Sequence, residues 1–418
     1  MKKLRLGIFG FGERGRLLAT TFMLLNCEIV AVCDIRKSEL ARARAVLGAD
    51  IATYDSFDSF IEHDMDAVIL ANFFHEHAPY AIACFARGLH VYSECIANGT
   101  MAEGVALLRA HEKSRSIYML AENYPQMLFN REMKHICEGG TLGKILYAEG
   151  EYNHPGNPND AAFRKYYNYF EGHWRNFLPR TYYITHSLGP LMWATGATPR
   201  QVSALAAYAP PPKDTPTASH VGDRAAIVIT QNDDGSIFRV TGCAAFGAHH
   251  NSYRICGTNG QIENLRGRGN EVMLRYNGWE IPEGVPQAKC YTPEWNDPDE
   301  ELIKKSGHGG ADYLTARMFY ECVEKGVQPP HPFDIHSGVT MSSVAILAHR
   351  SMLEGGVPYD IPDFHTEEAR TAFENDRKTP FPGTDGSAPT IPCCSVTDYA
   401  PTKEQVALYK KSLAEYRE

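Results

Sequence analysis

At 418 residues with 44% hydrophobic side chains, the chain is long enough for two or three domains and needs no covalent staples to close a core. A formal charge of −9, with Lys and Arg scattered along the chain, excludes a basic surface for nucleic acid or anionic membrane and leaves a small-molecule ligand as the expectation. Eleven dispersed cysteines, including the adjacent Cys393 and Cys394 but no C-x-x-C pair, exclude a disulfide framework and a zinc site and suit a reducing compartment.

The opening Met1-Lys2-Lys3-Leu4-Arg5 runs straight into an apolar strand, with no room for the hydrophobic core of an export signal. No apolar stretch approaches membrane-spanning length. A cytoplasmic protein is expected. Short apolar runs at 5–9, 29–33, 67–71, 90–93 and 116–120 alternate with amphipathic helical stretches at 14–25, 38–47, 77–87 and 101–113, which is the pattern of βαβ units on a parallel sheet.

After Pro125 a helix over 127–138 leads into longer alternating segments at 145–152, 201–208, 225–231, 236–245 and 249–256, typical of an antiparallel sheet. Two loop-rich insertions, 154–180 and roughly 268–307, are dense in Pro, Gly, Asn and aromatics and are expected to shape a pocket. Helices follow at 311–325 and 336–353, then a Pro-rich tail and a charged helix at 403–418. The tail reads as a packed arm or a solvated end. The expected organisation is an α/β Rossmann domain with a doubly wound parallel sheet at 1–124, an α+β substrate-binding and oligomerisation domain with a large, mostly antiparallel open sheet at 125–363, and a C-terminal extension at 364–418.

Gly10-Phe11-Gly12-Glu13-Arg14-Gly15 directly follows the first strand and opens a helix. Gly10 permits the tight turn, Gly12 the approach of backbone to a pyrophosphate, and Gly15 close helix–strand packing, while the helix N-terminus offers its positive end to the phosphates. Asp34, about 20 residues on at the end of the second strand, is placed for ribose hydroxyls. It disfavours a 2′-phosphate and so favours NAD, although Arg14 and Arg36 keep NADP open. Asn72, His75 and His77 occupy a loop and helix start beside the dinucleotide; two histidines at i and i+2 with no third ligand make a poor metal pair.

The fingerprint, Ala71-Asn72-Phe73-Phe74-His75-Glu76-His77, Gly88-Leu89-His90-Val91-Tyr92-Ser93-Glu94 and Gly257-Thr258-Asn259-Gly260 together resemble the glucose–fructose oxidoreductase / inositol dehydrogenase / MocA family over roughly residues 1–363. In ordinary dehydrogenases of that family the second phrase ends Glu-Lys-Pro, and its lysine assists proton transfer. Here it reads Glu94-Cys95-Ile96. A thiol is neutral near pH 7 and supplies no fixed cation, so Cys95 is either a replaced catalytic group or a small apolar filler beside the cofactor.

The NAD-dependent α-N-acetylgalactosaminidases of the same family also lack this lysine, and the chain is similar to them at several further points. Glu122-Asn123 follows the fifth strand; Tyr152 and His154 stand in Glu149-Gly150-Glu151-Tyr152-Asn153-His154; Tyr183-Ile184-Thr185-His186-Ser187-Leu188-Gly189-Pro190 is close to their Tyr-Pro-Thr-His-Gly-Leu-Gly-Pro; and Gly307-His308-Gly309-Gly310-Ala311-Asp312 resembles their Gly-His-Gly-Gly-x-Asp. Ile184 and Ser187 depart from the pattern.

The resemblance implies tightly bound NAD, with NADP less expected, and catalytic roles for Tyr152, His154, Tyr183 and His186. It implies cofactor contacts from Gly10, Gly12, Glu13, Arg14, Gly15, Asp34, Arg36, Asn72, His75, His77, Glu94, Cys95, Glu122 and Asn123. By residue type alone, Tyr152 is equally a sheet residue, His154 a turn residue before Pro155, Tyr183 a packing group and His186 a capping histidine. Tyr166, Tyr167, Tyr169, Phe170 and Trp174 form an aromatic cluster that either stacks a sugar or packs the insertion, with Arg175 and Arg180 as candidate polar contacts.

The reaction implied is transient oxidation of a sugar ring hydroxyl with glycoside cleavage by elimination and hydration, in which a tyrosine whose pKa is lowered by a nearby cation or the nicotinamide is suited to act as acid or base. A sugar dehydrogenase releasing a keto-sugar, or a cofactor-binding sensor without turnover, remains as an alternative. A carbohydrate substrate and a homo-oligomer, dimer or tetramer, are implied, without nucleic-acid or membrane partners.

Overall fold

The computed structural model describes residues 3–157, 170–383 and 385–415. The first half is a six-stranded sheet in the order β3-β2-β1-β4-β5-β6: β1 (Leu4–Phe9), β2 (Cys27–Cys33), β3 (Ala52–Tyr54), β4 (Ala67–Leu70), β5 (His90–Ser93) and β6 (Tyr118–Leu120), all parallel. Four consecutive apolar residues form β4 and all are buried, as expected where helices cover both faces. Those helices are α1 (Glu13–Phe22), α2 (Lys37–Leu47), the single turn α3 (Phe57–Phe60), α4 (His77–Ala86) and α5 (Met101–Glu112). Strand order reverses between β1 and β4, and the crevice beyond their carboxyl ends is the ligand position of such a sheet.

At that crevice Gly10 has φ +91°, and a Cβ on Gly15 would lie 2.0 Å from the Gly10 carbonyl oxygen. Both positions therefore require glycine, one for its dihedral and one for space.

Helix α6 (Leu128–Glu138) leads to a nine-stranded sheet in the order β14-β13-β12-β11-β7-β10-β9-β8-β15. Its strands are β7 (Ile145–Asn153), β8 (Pro199–Tyr208), β9 (Asp223–Asn232), β10 (Ile237–Ala244), β11 (His250–Gly257), β12 (Gly260–Asn264), β13 (Val272–Tyr276), β14 (Ala288–Tyr291) and β15 (Tyr359–Asp360). The β7–β10 pair is parallel; the other pairs are antiparallel. On β7, Glu149 and Glu151 pair with Arg239, Arg254, Arg266 and His250, while Ala148, Gly150 and Tyr152 alternate with them in the core. Helices α7 (Thr185–Thr195) and α10 (Ile335–Leu353) complete that core.

The structure differs from the sequence reading at several elements. The expected loop of 268–307 contains β13, β14 and the short helix α8 (Glu300–Lys305), and β3 and β12 were not expected at all. These are short or edge strands; β14 is almost wholly exposed, so no clean apolar alternation marks it. Helix α9 (Ala311–Lys325), expected with the second half, places Ala316 and Phe319 in the core of the first sheet, with Phe319 edge-on to Tyr92. No helix among the described residues is long and apolar enough to cross a membrane.

The C-terminal extension is packed. Helix α11 (Glu367–Phe373) and the following segment lie on α5 and α10, where Arg350 grips Asp376 at 2.6 and 2.8 Å. Buried Asp223 accepts from the Ser395 backbone N–H at 2.8 Å and its hydroxyl at 2.5 Å. Tyr409 of the final helix α12 (Lys403–Glu415) is buried. Removing the buried clamp with Asp223→Ala is expected to lower the unfolding free energy by about 1.5–3 kcal/mol, read by urea denaturation; an unchanged midpoint would show that the tail is held elsewhere.

Candidate active site

A cavity of about 560 Å³ runs from the carboxyl ends of β1 and β2 to the start of α7. Of the residues expected to hold a cofactor, Gly10, Gly12, Glu13, Arg14, Asp34, Arg36, Asn72, His77, Glu94, Cys95 and Asn123 line it, and Tyr152, His154, Tyr183 and His186 line the same space. Gly15, His75 and Glu122 stand behind its wall.

At the β1–β2 end, Asp34 accepts from the backbone N–H of Phe11 and of Arg36, both at 2.8 Å, and so fixes the glycine turn to the tip of β2. Gly12 caps α1 without any side-chain acceptor, leaving the helix N-terminus to an anion. A turn flanked by glycines with its one side chain, Phe11, buried, an uncapped helix start and a carboxylate lining the cavity fit a dinucleotide. Arg14 is not directed at a phosphate: its Nε donates to Glu94 at 2.7 Å and its Nη1 to Asp312 at 2.9 Å. Burial opposes its charge, yet these carboxylates hold it well above the usual arginine value.

His77 meets the Ile96 carbonyl at 2.8 Å, and burial pushes it down to about 4. His75 stacks on Phe381 of the C-terminal extension at 4.3 Å, and burial, then His77, push it to about 3. Both are thus held in the neutral form, His77 at the cavity and His75 behind its wall.

Glu122, expected at the cofactor, lies instead beneath His186. Its oxygens receive the His186 Nδ1 at 2.8 and 2.9 Å, the Tyr124 backbone N–H at 3.1 Å and the Cys95 thiol at 3.3 Å. Burial raises the carboxyl, but the interactions with His186 prevail and hold it below its usual value. An ionised Glu122 fixes the proton on Nδ1 and leaves Nε2 for the cavity. Burial, with Glu122 and Glu94 nearby, pushes the Cys95 thiol well up, so Cys95 is a neutral donor to Glu122.

Aromatic rings fix the His186 imidazole on several sides: Tyr124 stacks at 4.0 Å, and Tyr152 and Tyr183 stand edge-on at 4.9 and 5.1 Å. Burial raises the Tyr183 phenol, outweighing the lowering by Arg175. The lowering by a nearby cation is thus outweighed at Tyr183, which stays a protonated phenol. Burial and then His249 lower His154, which favours its neutral form.

Trp174 stacks on Phe74 at 5.0 Å with Arg175 over its ring, and both reach the cavity. Phe170 is exposed; Tyr166, Tyr167 and Tyr169 lie outside the described residues. Arg180 donates to the backbone carbonyls of Asp223 and Cys243, away from the cavity.

Sequence reasoning gave no role to His308 and Asp312. Among the described residues His308 alone is a non-glycine in the left-handed region, at φ +53°, a conformation that carries strain and marks functional turns. Its Nδ1 donates to Asp312 at 2.8 Å, and Asn123 donates to the same carboxylate at 2.7 Å. The Gly309-Gly310 pair was the visible signal.

The description "Oxidoreductase family, NAD-binding Rossmann fold" matches residues 4–122, and "Glycosyl hydrolase 109, C-terminal domain" matches residues 131–371, more than half of the chain. The first domain is thus an NAD-binding Rossmann domain. A glycosyl hydrolase family 109 protein of Saccharopolyspora erythraea is 27% identical, over 92% of this chain and 86% of that one. A Bacteroides fragilis glycosyl hydrolase family 109 protein 1 is 24% identical, over 86% and 85%. Among solved structures, levoglucosan dehydrogenase with NADH and levoglucosan has a TM-score of 0.72 at 18% identity, covering 86% of this chain and all of that one. The myo-inositol 2-dehydrogenase of Lactobacillus plantarum has a TM-score of 0.63 at 19% identity, with the same coverage.

Burial opposes the Asp312 charge, but Arg14 and then His308 hold it well below the usual carboxylate range. A carboxylate depressed in the folded state adds stability that is complete above its unfolded value of about 3.9 and is lost as pH falls toward the folded one. Asp312→Asn is expected to cost about 3 kcal/mol or more at pH 7. Its Tm should fall less steeply than wild type below about pH 5, so that the two curves converge in acid; parallel curves would refute the ionised clamp.

Proposed function

The chain belongs to glycosyl hydrolase family 109, and from that premise we propose that it is an NAD-dependent, redox-neutral glycosidase acting on a carbohydrate. The observation that carries this reading is the Glu122–His186 pair inside a cage of tyrosines, in the same cavity as the dinucleotide turn. NAD, when bound, supplies reversible oxidation of a ring hydroxyl to a ketone, which acidifies the neighbouring C–H and permits elimination of the glycosidic oxygen, addition of water and restoration of the alcohol.

In this reading His186 Nε2 accepts the proton of the ring hydroxyl, and Glu122 stabilises the imidazolium so formed. Neutral His154 accepts the proton of the adjacent carbon, with Tyr152 packed between the two imidazoles. Tyr183, held protonated by burial, gives its proton to the departing glycosidic oxygen. Net, one water is added across one glycosidic bond. Cys95 contributes no cation, unlike the lysine of the dehydrogenases the sequence resembles.

Retention of tightly bound NAD follows from a cofactor restored in place. All cysteines are free, which supports a reducing, cytoplasmic setting. Leu205, Ile229 and Ile237 are exposed on the second sheet and support a homo-oligomer.

Incubation with aryl glycosides of both anomers, with and without added NAD, in deuterated water should release aglycone without stoichiometric NADH and place deuterium beside the oxidised carbon. Stoichiometric NADH and a keto-sugar would instead make the protein a dehydrogenase. Neither aglycone nor deuterium would refute both. Glu122→Gln should lower kcat by about 10²–10⁴-fold, with KM and NAD retention near wild type; a loss confined to KM would remove the positioning role.

A further inference from the structure

Phe381 belongs to the segment that follows residue 371, where the family match ends, yet its buried ring reaches the backing of the cofactor cavity. It stacks on the His75 imidazole, with centroids 4.3 Å apart and an interplanar angle of 18°. Tyr182, the residue before Tyr183, stands edge-on to the same ring at 5.3 Å. One side chain of the extension therefore supports two walls of the cavity from behind: the loop after β4 and the segment that enters α7.

The loop is packed from two sides. Asn72, Phe73, Phe74, Glu76 and His77 line the cavity, and a Cβ on Gly99, in the turn before α5, would lie 2.5 Å from the His75 carbonyl oxygen. The backbone of His75 thus rests on that turn while its ring rests on Phe381. A void on either side would let the loop relax, because closely packed groups transmit such shifts to their neighbours.

The wedge is itself anchored before and after. Asp376 is gripped by Arg350, and its carbonyl accepts from the Ala102 backbone N–H at 3.0 Å. Further on, His349 donates to the Pro392 carbonyl at 2.7 Å and the Cys393 thiol to the His220 carbonyl at 3.3 Å. Held between these anchors, the ring sets the position of the loop instead of following it. We infer that Phe381 is a positioning residue for the dinucleotide, acting through His75 to keep the loop after β4 in the shape that the cofactor cavity requires. The inference needs the NAD-binding domain and not the glycosidase reading, since it concerns binding alone.

Release of NADH from the loaded full-length chain, followed by its fluorescence in stopped flow after a chase with excess NAD, reads this effect without turnover, whether wild-type release is slow or fast. Phe381→Ala should speed release about tenfold or more, and Phe381→Leu, which keeps bulk but loses the flat face, about threefold or more. The leucine variant carries the test if the alanine variant does not fold. Phe381→Tyr keeps the ring and should stay within about twofold of wild type. Val228→Ala, buried in β9 away from the cavity, controls for stability and should also stay within about twofold, although its Tm falls. In a His75→Ala background, Phe381→Leu should change release by less than about twofold, because the two side chains act as one unit. Wild-type release in the alanine and leucine variants, equal acceleration by Val228→Ala, or independent multiplication of the His75 and Phe381 effects would overturn the inference.

Discussion

The architecture turns on one buried carboxylate. Asp312 is fully shielded from solvent, and burying such a charge is costly unless every lone pair finds a partner. It finds Arg14 from the helix behind the glycine turn, Asn123 from the segment after β6, and His308 from the turn before its own helix. Through Arg14 the same network reaches Glu94 at the end of β5. Four distant stretches of chain, joined by no covalent constraint, therefore meet at the mouth of the dinucleotide crevice. Because α9 also packs Phe319 against Tyr92 and Phe22, the clamp is backed by apolar core and is not a surface ornament. The left-handed His308 is affordable only in such over-determined surroundings.

A second buried carboxylate divides the labour. Asp312 fixes backbone segments, whereas Glu122 fixes an imidazole. Both are ionised, and each is held so by partners of its own: a guanidinium for the first, an imidazole and a thiol for the second. The neutral Cys95 matters in this arrangement. An ammonium in its place would compete with His186 for Glu122, whereas the thiol donates a single weak hydrogen bond and leaves the Nδ1 interaction dominant. The substitution and the His186 orientation are two aspects of one electrostatic design.

The first sheet was legible because its strands are buried on both faces and its turn demands glycine: β4 is continuous apolar sequence, and Gly10, Gly15 and Asp34 each answer a separate steric or hydrogen-bonding need. Strands β12 to β14 were not legible, since each is only four or five residues long and β14, at the edge, is almost wholly exposed. Tyr152, His154, Tyr183 and His186 could be named only through family likeness; nothing in the residue pattern brings a β7 strand and the start of α7 to one cavity. Glu122 was named at the wrong partner because its position after β6 suggests the nicotinamide side, while its side-chain direction depends on α7, 64 residues away. The dihedral of His308 has no signature in a single residue type.

Strand β7 also joins two surfaces of the molecule, the cavity and the ion ladder on the second sheet. Successive side chains of a strand point to opposite faces, so Glu151 and Tyr152 serve different surfaces while sharing one backbone. Tyr152 packs against His154 and His186 in the cavity; Glu151 holds Arg239, His250 and Arg266. Any displacement of the β12–β13 turn is thus transmitted through Glu151 to the strand that carries Tyr152. The ion ladder on the sheet, which resembles an ordinary solvated surface when β7 is read alone, ties the β12–β13 turn through Arg266 to the strand that carries Tyr152.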